Sequence, residues 1–406
     1  MVSRAEEGVP TPPKDGPFPM PRPFPFIAAL AASLTLAGFG FAGARSPVPV
    51  GTLPSGPVDG ITDVPGVRVG MVTKIEGEGP LVRGVGPVRT GATGILPNDD
   101  PWMKRVAAAT YDLNGNGEMT GAHWVDQAGF LETPIVLTDT LDIGRADDGV
   151  VSWLIGKHPD IGVRADVPLP VVAECDDQGM NDIQGRHVGP DDVMKLLDAA
   201  APGDFARGNV GAGTGMHAFG FKGGIGSASR VLPKDLGGYT VGVLVNVNTG
   251  SRNELLIGGV PVGRALAKEL LPVSPRRAAV RTTGRAADGS IIIVIATDAP
   301  LDTNRLRDIA KRATMGLART GATSHTSSGD LFFAFSTTHV YPRDGGITGP
   351  ALVTDSDRID ALFGATIDAT EAAIDDAIFS ARTMTGAGGL TLFGLPYDRV
   401  APLLRK

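Results

Sequence analysis

The sequence predicts a mixed α and β protein of the α+β class, in which helices cover the outer faces of layered β-sheets. Strand-length runs rich in Val, Ile or Phe occur at 239–247, 290–297 and 331–336. Helical patterns occur at 190–201, 304–317 and 355–384. Strands this apolar are expected to be buried on both faces, which favours a layered sandwich over an open barrel.

The individual elements have local reasons in the sequence. Residues 290–297 read SIIIVIAT, a nearly continuous β-branched run that is typical of a buried central strand. The helix at 355–384 opens with Asp355, Ser356 and Asp357, a cluster of capping residues. Gly364 makes an interruption of this helix possible. With 406 residues and 42% hydrophobic content, the chain can bury a substantial core.

The N-terminal region predicts export. A proline-rich leader precedes an apolar run at 26–44 that ends in small residues, so residues 1–44 are interpreted as a signal peptide. Translation from Met20 would give a more ordinary start. The alternative is an uncleaved membrane anchor of about 19 residues, which is long enough to span a bilayer. We expect cleavage after Ala44, a linker at 45–59, no stable membrane insertion after processing, and a periplasmic or secreted protein.

Composition excludes several classes of function. The formal net charge of −7, with both signs interspersed, gives no basic surface for nucleic acid. Cys175 is the only cysteine, so it permits neither an internal disulfide nor a Cys-based zinc site, and as a nucleophile it has no supporting motif. The six histidines occur singly, with no HExxH pair. We expect neither a metal nor any other cofactor.

The densest glycine cluster reads GNVGAGTGM at 208–216, and a second glycine-rich run follows at 220–227. Neither completes a GxGxxG fingerprint after a strand, and the context of Lys222 is not a Walker motif. The glycines therefore predict either a close approach of the backbone or a set of tight turns.

A serine directly follows a glycine where the strand at 239–247 ends. At this junction the Ser251 hydroxyl could attack the Gly250 carbonyl, because glycine permits strained turns. Hydrolysis of the resulting ester would leave Ser251 with a free α-amino group, whose reference pKa of about 7.7 to 8.0 suits a local base. The alternative interpretation is an ordinary turn.

These features belong to a longer series of motifs, through which the sequence resembles the L-aminopeptidase D-Ala-esterase/amidase family, including the β-aminopeptidases. The resemblance covers residues 60 to about 404. It rests on the segments 61–70, 86–91, 114–121, 181–182, 187–188, 208–216, 221–226, 250–251, 296–300, 328–330 and 334–337.

The resemblance implies a four-layer α-β-β-α sandwich like that of N-terminal-nucleophile hydrolases, a fold type shared with ornithine acetyltransferases. It also implies a precursor cut into an α chain, 60–250, and a β chain, 251–406, with a homotetramer of αβ units. The expected activity removes N-terminal residues from short peptides or amides that carry a free amine. The alternatives are an acyltransferase related to ornithine acetyltransferase and a binding protein that does not process itself.

The resemblance assigns Ser251 as the nucleophile and Ser290 as a second hydroxyl that relays or orients its proton. Asn209 is predicted to donate to a developing oxyanion, unless it only forms a turn. Asn248 is a polar candidate beside the scissile bond, although it could equally cap the strand.

The β-aminopeptidases have a glutamate two residues after this second serine, where the chain has Ile292. Asp298 or Asp330 is a possible substitute.

The substrate amine calls for a carboxylate, because a free N-terminus is positively charged. Glu118, flanked by glycines in the run NGNGE, is predicted to bind it, and the alternative is a solvated loop residue. Asp139 replaces an asparagine of the family and would alter the polarity of the pocket. Trp124 and Phe130 would line the pocket or belong to the core.

Overall fold

The computed structural model describes residues 45–274 and 289–405. The predicted signal peptide therefore lies outside the described residues. In the segment 45–59, which the sequence predicts to be a linker, the described backbone forms neither helix nor strand. None of the described helices is both long and apolar enough to span a bilayer.

The described chain alternates strands and helices. The strands are β1 (Arg68–Glu76), β2 (Val88–Leu96), β3 (Lys104–Gly115), β4 (Phe130–Leu131), β5 (Ile135–Thr138), β6 (Val171–Glu174), β7 (His217–Ala218), β8 (Phe221–Lys222), β9 (Gly224–Val231), β10 (Thr240–Asn248), β11 (Ser290–Thr297), β12 (Gly329–Pro342), β13 (Met384–Thr385) and β14 (Thr391–Leu392). The helices are α1 (Ala122–Ala128), α2 (Ile143–Lys157), α3 (Pro190–Asp198), α4 (Val262–Ala265), α5 (Thr303–Arg319), α6 (Ser356–Ser380) and α7 (Tyr397–Leu404).

Two main sheets organise these strands. The larger sheet has six strands in the order β4-β3-β12-β11-β10-β9, and the smaller has four in the order β1-β2-β5-β6. Within the larger sheet, β11 and β12 run parallel, and the other neighbours are antiparallel. In the smaller sheet only β5 and β6 are parallel.

Three apolar cores hold four layers together. The alternation of side chains along β11 sends Ile291 and Ile293 to one core with α5 and α6, and Ile292 and Val294 to a second core between the sheets. A third core joins the smaller sheet to α2 and α3, with Trp153 and Leu196 among its residues. The four-layer α-β-β-α sandwich predicted from the sequence is therefore confirmed.

The predicted helix at 355–384 differs from the observed one mainly at its end. The Asp355 side chain caps α6 by accepting a hydrogen bond from the Arg358 N–H, as the capping cluster predicts. The helix continues through Gly364 without a break, because the residues around it supply the buried apolar face. It ends at Ser380, four residues before the predicted end.

The strands β10 and β11 bring the candidate site to one end of the larger sheet. They are antiparallel, and Asn248 at the end of β10 pairs with Ser290 at the beginning of β11. Ser290 also pairs with Gly329 at the start of the parallel strand β12. The last residue of β10 and the first residues of β11 and β12 therefore meet at the same end of the larger sheet.

Candidate active site

A cavity of about 600 Å³ opens at this edge of the sandwich. The loop after β3, the ends of β5 and β6, and the junction of β10 with β11 all contribute to its wall. Its polar side chains include Glu118, Thr140, Glu174, His217, Asn248 and Ser290. A cavity of this size with converging polar groups is the usual form of a small-molecule site.

Asn248 connects three parts of the cavity wall. Its Nδ2 donates a hydrogen bond to the Asp176 carbonyl at 2.9 Å and lies 3.5 Å from the Ser290 Oγ. Its Oδ1 accepts a hydrogen bond from the His217 N–H at 3.0 Å. The Asn248 side chain thus faces the cavity and holds neighbouring segments together, which is more than a strand cap requires.

Gly250 turns the chain sharply between β10 and Ser251. Its φ is +82°, and a Cβ placed on it would lie 2.3 Å from ring atoms of Phe219. The Phe219 N–H also donates to the Thr249 carbonyl at 2.8 Å, so the aromatic residue is fixed against the turn. Only glycine fits this position without strain.

Ser251 begins a short 3₁₀ turn, Arg252–Glu254, and is half-buried. Its backbone N–H donates to the Glu254 Oε2 at 2.7 Å. Ser251 follows Asn248 by three residues, and Gly289, which precedes Ser290, packs against Thr249. The two serines of the sequence prediction therefore lie on adjoining segments at the same edge of the sheet.

Cys175 lies behind Ser290 and is fully buried. Burial is the main reason that the pKa of its thiol rises well above the ordinary value. Because the thiolate is the nucleophilic form, this environment argues against Cys175 as a nucleophile.

Among the described residues, neither candidate acid, Asp298 or Asp330, forms a hydrogen bond with Ser290. Ile292 is fully buried in the core between the sheets. Asp298 follows the opposite end of β11, where its Oδ1 accepts a hydrogen bond from the Thr240 N–H at 2.7 Å. The prediction that Asp298 takes the place of the glutamate is therefore wrong.

Asp330 is the nearer of the two acids. It pairs in register with Ile291, and its Oδ1 accepts a hydrogen bond from the Ser328 Oγ at 2.6 Å. Burial raises the pKa of Asp330.

The structure does not bring Asn209 into the wall of this cavity. Its Oδ1 accepts a hydrogen bond from the Arg382 N–H at 3.0 Å, and its amide nitrogen approaches the Met384 sulfur at 4.0 Å. In this arrangement Asn209 connects the glycine-rich segment to the chain after α6. Its oxyanion role stays a prediction.

Glu118 lies in the cavity wall beside a second carboxylate, Glu174, that sequence reasoning missed. The Glu118 backbone N–H donates to the Glu174 Oε1 at 3.2 Å, and the Thr140 hydroxyl donates to Oε2. Glu118 is exposed, whereas Glu174 is only 5% exposed and burial raises its pKa. The only signal for Glu174 in the sequence is an acid that ends the apolar run VVAE at 171–174.

The other predicted pocket residues pack elsewhere in the described structure. Trp124 donates its indole N–H to Glu132 at 3.1 Å and meets Phe130 edge to face, which fits a packing role. Asp139 is buried beside Asp177 and accepts from the Thr90 hydroxyl at 3.1 Å. Desolvation, with Asp177 as the next cause, raises the pKa of Asp139 well above its ordinary value.

The glycine cluster packs against its own backbone. A Cβ placed on Gly224 would lie 2.0 Å from the Gly208 carbonyl oxygen, so the predicted close approach is present between two parts of this chain. The buried Lys222 Nζ ties the segment together by donating to the carbonyls of Gly213, Met216 and Gly223. Burial lowers the pKa of Lys222 to about 7. In the described part of the chain, no group of three or more His, Cys, Asp or Glu side chains could hold a metal ion.

Comparison with known proteins supports the resemblance seen in the motifs. The sequence profile of peptidase family S58 matches residues 59–392. The chain is 43% identical over 353 residues to the beta-peptidyl aminopeptidase BapA of Sphingosinicella xenopeptidilytica, covering 86% of this chain and 88% of that protein.

Two solved structures are also similar over most of the chain. The PH0078 protein from Pyrococcus horikoshii OT3 matches with a TM-score of 0.80 and 42% identity, over 88% of this chain and 97% of that one. The L-aminopeptidase D-Ala-esterase/amidase from Ochrobactrum anthropi, a serine aminopeptidase with a variant of the Ntn hydrolase fold, matches with a TM-score of 0.79 and 37% identity, over 87% and 96%.

Proposed function

The chain belongs to peptidase family S58 and is an aminopeptidase or amidase, and from this premise we propose that its nucleophile is Ser251, freed when the chain cleaves its own Gly250–Ser251 bond. The observation that carries the proposal is the turn at Gly250. Its left-handed backbone lies at the end of the larger sheet, two residues after Asn248, whose side chain is in the cavity wall.

The proposed cleavage proceeds through an ester. The Ser251 Oγ attacks the Gly250 carbonyl carbon, the bond from that carbon to the Ser251 nitrogen breaks, and the nitrogen takes up the hydroxyl proton. Water then hydrolyses the ester and leaves a carboxylate on Gly250 and a free amine on Ser251.

The same hydroxyl then serves turnover. It attacks the carbonyl of the first residue of a substrate, the amide nitrogen leaves with a proton, and water hydrolyses the acyl ester. The α-amino group of Ser251 is the proposed base, since an amine of this kind titrates near neutral pH. Ser290 is the proposed second hydroxyl, which Asn248 orients at 3.5 Å.

The proposed substrates are short peptides or amides that carry a free N-terminal amine. Glu118 is the proposed partner of the ammonium group, and the adjacent buried Glu174 adds a second carboxyl group to the same wall. The first residue removed is an L-α, D-α or β residue. The 43% identity to a protein named for β-peptidyl substrates supports including β residues.

Export and assembly belong to the same proposal. The apolar run that ends at Ala44 supports a signal peptide and a periplasmic or secreted enzyme. A homotetramer of αβ units, which the resemblance implies, is tested by the molar mass of the purified protein in solution.

The decisive experiment compares the wild type with Ser251→Ala. Intact mass and N-terminal sequencing should find two wild-type fragments, the second beginning Ser-Arg-Asn-Glu at residue 251. Ser251→Ala should remain one chain and should not hydrolyse peptide amides. A Ser251→Ala protein that is still cut at this bond, or that still turns over substrate, would exclude Ser251 as the nucleophile.

A further inference from the structure

Glu254 lies directly behind the proposed nucleophile. One carboxylate oxygen, Oε2, accepts the hydrogen bond from the Ser251 N–H at 2.7 Å. The other oxygen, Oε1, accepts from the Thr323 hydroxyl at 2.8 Å and lies 3.0 Å from the His325 Nε2. A single carboxylate therefore connects the Ser251 nitrogen to an imidazole from a different part of the chain.

The segment that carries His325 is fixed against the segment that carries Glu254. The Leu256 N–H donates to the Thr320 carbonyl at 2.8 Å. Gly321 has a φ of +91°, and a Cβ there would lie 1.9 Å from the Glu254 carbonyl oxygen. The two backbones approach so closely that only glycine fits between them.

His325 is also held from its other side. Its carbonyl accepts hydrogen bonds from the Asn114 Nδ2 and from the Ser328 N–H, each at 2.7 Å. Asn114 belongs to β3 and Ser328 precedes β12, so the backbone of His325 is anchored to the larger sheet. The side chains of Glu254 and His325 are 20% and 32% exposed, which screens their interaction less than on an open surface.

Two other charged side chains, those of Arg252 and Asp330, lie near Glu254 and His325. Arg252 turns away, with its guanidinium stacked over Phe221 at 3.3 Å and donating to the Phe219 carbonyl at 3.1 Å. Asp330 faces His325 from the start of β12.

We propose that Glu254 and His325 are positioning residues for the α-amino group that Ser251 gains on cleavage. The inference rests on the proposed function, because it requires Ser251 to become an N-terminus. In the precursor, the Ser251 nitrogen carries one hydrogen, which it donates in a hydrogen bond to the Glu254 carboxylate. After cleavage the neutral amine keeps that hydrogen bond, which turns its lone pair toward the Ser251 hydroxyl.

In the proposed reaction, each proton passes between the amine, the hydroxyl and the departing nitrogen. The amine takes the hydroxyl proton as the Ser251 oxygen forms its bond to the substrate carbon, and the resulting ammonium group lies against the Glu254 carboxylate. The ammonium then gives a proton to the departing nitrogen. His325 donates to Oε1 and fixes the orientation of the carboxylate. Glu254 thus supplies the negative charge that a glutamate at position 292 does not supply here.

The test is the pH dependence of kcat/KM in Glu254→Gln. The variant keeps the size of the side chain and one accepting oxygen, but it removes the charge that stabilises the ammonium form. The active amine is neutral, so the ascending limb of the profile should move to lower pH by about one unit. Activity at the plateau should fall about tenfold or more.

His325→Gln provides a second variant that does not remove the carboxylate. It should lower kcat more than it raises KM, because it releases the orientation of Glu254 without touching substrate. The matched control is His158→Gln, since His158 forms a similar half-buried pair with Asp100 at 3.1 Å, and it should leave the profile unchanged.

The outcomes separate the two proposals. An unprocessed wild type, or activity in Ser251→Ala, defeats the proposed function itself. If the wild type is processed and both Glu254→Gln and His325→Gln keep its ascending limb, the inference alone is defeated. If Glu254→Gln fails to fold, the decision rests on His325→Gln, for which a kcat equal to that of His158→Gln overturns the inference.

Discussion

Asn248 and Ser290 face each other across β10 and β11, with the Asn248 Nδ2 3.5 Å from the Ser290 Oγ. Both side chains lie in the wall of the cavity. The amide is itself held by the Asp176 carbonyl and the His217 N–H, so it can fix the position of the hydroxyl. The hydrogen bonds of the sheet thus hold the Ser290 hydroxyl in the cavity, where its role in the proposed reaction can be tested.

Ser290→Ala should lower kcat/KM on the order of 100-fold, because it removes a hydroxyl that assists proton transfer. Steady-state kinetics on a peptide substrate measures the loss. Ser336→Ala is the control, since Ser336 is also buried in the sheet but its hydroxyl donates to the Ala299 carbonyl at 2.7 Å. Equal activities in the two variants would contradict a role for Ser290.

Gly250→Ala should slow self-cleavage at least tenfold. The left-handed backbone costs a residue with a Cβ about 1–2 kcal/mol, and the added carbon would also collide with Phe219 at 2.3 Å. A gel series after expression measures the fraction cut. Gly259→Ala has the same backbone cost, with a φ of +77°, but nothing among the described residues lies within 4 Å of its Cβ. A Gly250→Ala protein cut as fast as Gly259→Ala would argue against the contact with Phe219.

Glu118→Gln should cost free-amine substrates on the order of 1.5 to 3 kcal/mol of transition-state stabilisation. The physical reason is the loss of a charge that pairs with the substrate ammonium. The ratio of kcat/KM for a free-amine peptide and its N-acetylated form is the measurement, and Glu174→Gln serves as comparison. Self-cleavage should continue, because the scissile bond presents no free amine. An equal loss on both substrates would mean that Glu118 supports the fold instead.

Asp375→Asn should stabilise the protein more at pH 8 than at pH 5. The Asp375 carboxyl on α6 is fully buried, and among the described residues neither oxygen has a hydrogen-bond partner. Burial raises its pKa well above 3.8. The folded state therefore binds a proton that the unfolded state releases. The free energy of unfolding should fall by about 1.4 kcal/mol per pH unit between the two pKa values.

Thermal unfolding of Asp375→Asn at the two pH values checks this. Asp360→Asn, an exposed carboxyl on the same helix, is the control and should shift the midpoint little at either pH. The same small shift in Asp375→Asn at pH 8 would show that the buried carboxyl does not oppose folding.

Residues 20–46 should direct a fused reporter out of the cytoplasm, with cleavage near Ala44, because they contain the apolar run and its small-residue end. Fractionation and the mass of the exported reporter provide the measurement. A version with two leucines of the run replaced by arginine is the control and should stay inside. A wild-type fusion that remains cytoplasmic at full length would refute export.

The fold could be predicted because its signals are local. The continuous β-branched run at 290–297 predicts a strand buried on both faces, and that is where β11 lies, with apolar cores on either side. The break suggested at Gly364 does not occur, because tertiary packing of α6 outweighs the propensity of one glycine.

The candidate site could be predicted only in part. Gly250 with Ser251, and Glu118 in its glycine-rich loop, are visible in short motifs. Glu174 was missed because it reaches the cavity through the order of strands in the smaller sheet, which no local pattern encodes. Asn209 shows the reverse case, since it sits in a matching motif while its side chain bonds to Arg382 and approaches Met384, far along the chain.

The strand order of the larger sheet has a consequence for the lifetime of the folded, cleaved protein. A cut after Gly250 would leave β11 and β12 on one polypeptide, lying between β3 and β10 of the other. The two polypeptides could then separate only by breaking the hydrogen bonds between β3 and β12 and those between β10 and β11. Unfolding would release two separate polypeptides, and recovery would require them to meet again, at a rate that depends on concentration. Maturation would thus be a one-way step, and the mature enzyme would last by the slowness of its unfolding.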